Sequence, residues 1–142
     1  MNNKRAKIIV DILMTVFLIL SFARWDGVGG ATYHIVVGSA CAFFFALHIF
    51  IHRKWIKAVT KSCIVGKLSK ALKGKYIIDM LLLMVWSISI VAGFLAISPF
   101  FSEVDGTSGI GRLHGITARI GLGLVVIHVI QHMKGLMQGY RR

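Results

Sequence analysis

Residues 34–52, HIVVGSACAFFFALHIFIH, decide how this chain folds. Residues 114–132, HGITARIGLGLVVIHVIQH, repeat the pattern with histidine at the same three places. His34 and His48 are fourteen residues apart, and so are His114 and His128; His52 and His132 follow four residues later. All six histidines of the protein lie in these two apolar stretches. An α-helix turns 100° and rises 1.5 Å per residue, so fourteen residues return a side chain to within about 40° of its starting face and carry it about 21 Å along the axis. Each pair therefore points one way at two depths of a helix.

The helices that carry them belong in a membrane. Hydrophobic residues make up 56% of the 142, and the mean hydropathy is +0.76, well above a soluble domain. Charges collect in the first seven residues, in 52–75 and at the C-terminus, and long apolar runs separate these clusters. A run of roughly 18 apolar residues crosses a bilayer core as a helix. The expected fold is an all-α integral membrane domain over 1–142, with spans at about 8–25, 32–52, 76–99 and 112–137. The net charge of +12 belongs to residues flanking these spans, as membrane topology places them. No nucleic-acid motif accompanies it, so no nucleic-acid partner is expected. Cys41 and Cys63 have different surroundings and no CxxC spacing, which argues against a disulfide or thiol–metal framework. The first apolar run is long and ends in Arg24-Trp25-Asp26 without a small-residue cleavage pattern, so it reads as a span and not as a signal peptide.

Residues 53–75 contain eight Lys or Arg and no acid. Their apolar residues, Trp55, Ile56, Val59, Cys63, Ile64, Leu68 and Leu72, recur at helical intervals. This pattern predicts an amphipathic helix over about 54–73, lying on the membrane with its lysines toward anionic headgroups; the competing reading is a disordered basic loop. Gly27–Gly30 and the 100–112 segment form the opposite loops, and Pro99 is expected to stop the third span. Basic residues at the N-terminus, in 53–75 and at the C-terminus put both termini in the cytoplasm under the positive-inside rule.

The chain also repeats itself. Asp11 opens span one and Asp79 opens span three, while His34-x13-His48-x3-His52-x-Lys54 in span two matches His114-x13-His128-x3-His132-x-Lys134 in span four. Two copies of a helical hairpin follow, with spans two and four parallel and equivalent histidines at one depth. Haem iron takes axial imidazoles, and a helical bundle offers the apolar slot that the macrocycle needs. The expectation is two bis-histidine haems stacked through the membrane: an outer one on His34 and His114, an inner one on His48 and His128. Ionisable groups inside a bilayer are costly and are kept for function. His52 and His132 are rivals for the inner iron. Their place near Arg53-Lys54-Trp55 suits an interfacial role instead, toward a propionate, a quinone head group or water.

Arg24, Arg112 and Arg119 are candidates to hold propionates. Interface anchoring is the other reading of Arg24 and Arg112, and Asp26 or Glu103 are other partners for Arg119. Gly38, Gly121 and Gly123 let a backbone approach either a ligand or a neighbouring helix.

At these residues the sequence resembles the four-helix di-haem membrane cytochromes b, and more closely the small bacterial flavinylation-associated cytochromes. The His-x13-His pair on two helices, the Asp near the start of a hairpin, and the ending His48-Ile-Phe-Ile-His52-Arg-Lys54-Trp55-Ile56 carry the resemblance. The second copy departs from it as His128-Val-Ile-Gln-His132-Met-Lys134-Gly135-Leu136. The resemblance extends over nearly the whole chain. It implies two haem b groups, electron transfer across the membrane, exchange with a quinone, and a separate flavin, iron–sulfur or cytochrome c redox subunit. The chain would then be the electron-transfer membrane subunit of an oxidoreductase complex. A cytochrome that oxidises quinol by itself is the second reading. A histidine-based metal or proton transporter is the third; it is disfavoured because transporters place acids or broken helices at the midplane, whereas Asp11 and Asp79 lie toward one end.

Overall fold

The computed structural model describes residues 3–23, 30–98 and 109–140. It is all-helical. Helix α1 spans Asn3–Phe22, α2 Gly30–Ile64, α3 Lys70–Ala96 and α4 Gly109–Tyr140. The chain divides into two compact units, Met1–Lys61 and Ser62–Arg142.

In the first unit, α1 and α2 meet through stacked rings, with Phe17 and Phe44 5.3 Å apart at 14°. Val10, Leu18, Val37 and Cys41 are the buried side chains there, together with Val59 further along α2. In the second unit α3 packs on α4. Ser89 is fully buried and Ala92 nearly so, and small residues of this kind let two helical backbones approach. Gly121 has the same effect from α4, since a Cβ there would meet the Trp86 ring at 3.1 Å. The packing reading of this glycine is the one the geometry supports. At Gly38 and Gly123 a Cβ would meet nothing within 4 Å.

Few side chains are buried, and many large apolar ones face outward, among them Ile12, Val36, Phe43, Ile88 and Ile130. Water tolerates no such surface on a folded chain; a bilayer does. By length and composition, α2, α3 and α4 can each cross a membrane. Helix α1 is the shortest, at 20 residues, and Arg5, Lys7 and Asp11 fall within its first half. Every 18-residue stretch of it therefore contains three charges or more.

The central basic region differs from the expected separate surface helix. Residues 54–64 are the last turns of α2, residues 65–69 are not helical, and Lys70 begins α3. Nothing between His52 and Ile64 breaks a helix, so the periodicity that suggests a new element continues the old one. Gly66 ends it, at φ +72. The amide of Lys67 donates to the carbonyl of Ser62 at 3.0 Å, and that of Gly66 donates to Cys63 at 3.1 Å. These two bonds form a Schellman cap, which needs a left-handed residue at this place. Ser69 then caps α3, its hydroxyl accepting from the Leu72 amide at 3.4 Å. A 35-residue helix is about 52 Å long, against a hydrocarbon core of about 30 Å. The turns of α2 beyond His52 thus extend past its apolar part, with Lys54, Lys57 and Lys61 exposed. The other helices also begin earlier or end later than their apolar cores. Pro99 and the Gly27–Gly29 turn lie outside the described residues.

Candidate functional site

The histidines within each hairpin are held by the helix that precedes them. Asp11 sits two turns into α1, where its carboxylate reaches across to α2. The His48 ring donates from Nδ1 to Asp11 Oδ1 at 2.7 Å. In the second hairpin, His128 donates from Nδ1 to Asp79 Oδ1, again at 2.7 Å. Such charge-assisted bonds are shorter and stronger than neutral ones.

The other member of each pair uses a backbone oxygen. His34 Nδ1 donates to the carbonyl of Ser21 at 3.0 Å. His114 Nδ1 donates to the carbonyl of Ser89 at 2.8 Å. Ser89 also places its hydroxyl 3.4 Å from the His114 carbonyl. Gly93 makes room for this ring, because a Cβ there would lie 3.0 Å from His114 Nδ1 and 3.1 Å from Cε1.

Carbonyl oxygens and ionised carboxylates can only accept, so Nδ1 carries the proton in all four rings. The lone pair then resides on Nε2. This is the tautomer of a metal-ligating imidazole whose ring is fixed by an outer partner. The donor set thus fits a haem iron or another cation that takes imidazole nitrogen.

The third histidines are turned the other way. His52 Nε2 lies 4.0 Å from Asp11 Oδ1, and His132 Nε2 lies 3.5 Å from Asp79 Oδ2. Their rings lie beside those of His48 and His128, with centroids 4.5 Å apart in each hairpin. Asp11, His48 and His52 form one group of three ligand-bearing side chains, and Asp79, His128 and His132 form another; in each, one ligand atom per residue lies within 4.8 Å of the others. Either group could hold a metal ion. Two ligands of a tetrahedral zinc at 2.0–2.1 Å are about 3.3 Å apart. The 2.7 Å between His and Asp in both groups is instead a hydrogen-bond distance.

Arg112 and Arg119 are exposed on α4. Among the described residues neither forms an ion pair. Arg24, Asp26 and Glu103 lie outside the described residues, as does the Lys134 side chain.

Ser21 is the residue that reading the sequence misses. It acts through its backbone oxygen, which any side chain could supply. The repeat does hold a signal, since the interval from Asp11 to Asp79 is 79 − 11 = 68 and that from Ser21 to Ser89 is 89 − 21 = 68. Acid and serine therefore recur together.

Comparison of the chain with family models, curated proteins and solved structures returns no match.

Proposed function

We propose that the chain is a di-haem b transmembrane electron-transfer subunit, passing electrons between a membrane quinone pool and a redox partner protein. One observation carries this reading. In both hairpins, two histidines fourteen residues apart donate Nδ1–H to the preceding helix, by 2.7 Å and 3.0 Å bonds in the first and by 2.7 Å and 2.8 Å bonds in the second. Four imidazoles with Nε2 as the ligating atom, at two depths, are the requirement of two six-coordinate haems.

In this reading His34 and His114 ligate the outer haem, and His48 and His128 the inner one. The posture of His52 and His132, with Nε2 toward the acid, supports keeping them off the iron and near a propionate or quinone. The exposed guanidinium groups of Arg112 and Arg119 are available to propionates, with Arg24 as a third candidate. Haem bound there would supply one-electron chemistry. The chain's own work is to orient the imidazoles and fix their tautomer. Helix α1, although short and charged at its start, counts as the first of four spans, with both termini in the cytoplasm. A flavin, iron–sulfur or cytochrome c subunit would exchange electrons with it. The resemblance to flavinylation-associated cytochromes points the same way.

The two Asp–His–His groups support a second reading, in which each holds a divalent cation for transport. The hydrogen-bond distances favour the first. Protein purified from membranes should show a Soret band, sharp alpha bands on reduction, and about two haems per chain. A colourless preparation that binds zinc or another divalent ion would sink the cytochrome reading in favour of the second.

A further inference from the structure

The two depths differ in what stands behind the ligand. At the inner depth the acceptor is a carboxylate in both hairpins, Asp11 behind His48 and Asp79 behind His128, each at 2.7 Å. At the outer depth it is a neutral carbonyl in both, Ser21 behind His34 at 3.0 Å and Ser89 behind His114 at 2.8 Å. The symmetry of the repeat makes the contrast double.

A carboxylate accepting from Nδ1 draws the proton toward itself and gives the ring imidazolate character. The ring becomes a stronger donor at Nε2, which favours the oxidised metal. The carboxylate's negative charge acts in the same sense, because the oxidised centre has one more positive charge. A carbonyl dipole does both far more weakly. Asp79 is only 8% exposed, so little solvent screens its charge. The lysines beyond His52 are exposed and screened by solvent and salt. Exposed Arg112, two residues before His114, adds positive charge at the outer depth, which acts to raise the potential there.

Resting on the di-haem reading above, we propose that Asp11 and Asp79 are positioning residues that hold the inner haem at a lower potential than the outer one. With haem held at both depths, the downhill order would run from the inner site to the outer one, the inner group giving up the one electron that the outer group gains. That order favours a reductant that delivers at the inner end and a one-electron oxidant that collects at the outer end.

The test is a potentiometric titration of the whole, haem-loaded protein, followed in the alpha bands. Wild type should titrate as two one-electron components. His34→Ala, which removes an outer ligand, should retain the lower component and so assign it. Asp11→Asn and Asp79→Asn keep an acceptor oxygen and lose the charge. Each should change the reduced-to-oxidised ratio of the lower component about tenfold at a fixed potential, an upward shift of about 59 mV, and leave the upper component in place. Asp11→Glu and Asp79→Glu, which keep the charge, should titrate close to wild type. Two-haem Asp→Asn variants with an unmoved lower component, or with a moved upper one, overturn the proposal. If Asp79→Asn does not load, Asp11→Asn decides, since Asp11 is the more exposed of the two acids. A colourless wild type would instead overturn the function on which the proposal stands.

Discussion

The two hairpins do the same thing with different materials. Each sets a carboxylate 2.7 Å from the deeper histidine, yet Asp11 is 40% exposed and Asp79 only 8%. Each buries residues at matching positions near mid-span, but their types differ. Leu18 and Cys41 are both buried in the first hairpin. Their repeat equivalents are Trp86 (18 + 68) and Gly121 (41 + 80), and there the large ring rests on the glycine. Buried apolar positions are free to change in type when the volume they fill is kept. The Asp–His bond has no such freedom, because only a carboxylate supplies both an acceptor and a charge at that reach. What stays fixed between the copies is therefore the set of groups that orient imidazole.

The strongest test of this equivalence removes the deeper histidines. His48→Ala and His128→Ala should each lose one haem of the two, read as haem per chain by absorbance, and should leave the same spectrum behind. Different remaining spectra would break the equivalence. His52→Ala and His132→Ala should retain both haems, and loss of haem there would move the ligand assignment by one turn.

Next in size is the contrast between the two acids. Asp79→Ala removes the acceptor of His128 Nδ1 at a buried acid, which costs about 2 to 3 kcal/mol. Asp11→Ala, at the more exposed of the two acids, should cost less, about 1 kcal/mol. Thermal unfolding in detergent measures both, and equal losses would mean that burial does not distinguish the hairpins.

Gly93→Ala tests a feature whose counterpart in the first hairpin (93 − 68 = 25, at Trp25) lies outside the described residues. The new methyl would press on His114 from 3.0 Å and weaken its 2.8 Å bond to Ser89, at about 1 to 2 kcal/mol. Broadening or loss of one alpha band is the expected readout. The smallest effect belongs to the joint between the copies. Gly66→Ala puts a Cβ at φ +72 and should cost about 1 kcal/mol. Thermal stability should fall and both haem bands stay as they are.

The sequence makes the helices and the histidine faces legible, because a fourteen-residue interval has one geometric meaning on a helix. Asp11 and Asp79 stand out as repeated acids in apolar runs, but their partners do not, since register between neighbouring helices is set by packing and loop length. The Ser21 and Ser89 carbonyls leave no mark of their own in composition. The stretch 54–73 shows a different limit. Apolar spacing identifies helix there, but it cannot say whether that helix is new or the tail of the last one. The position of the first helix breaker, Gly66, holds that information.

Every bond described for the four paired histidines closes inside its own hairpin, and five non-helical residues, 65–69, join the copies. Ligand, acceptor and spacing thus travel as a single cassette. Doubling such a cassette in a gene would deliver a second complete set at once, leaving only a linker to be invented. The same economy makes the chain a candidate for splitting at that linker, with each half-chain bringing its own oriented imidazoles to the reassembled whole.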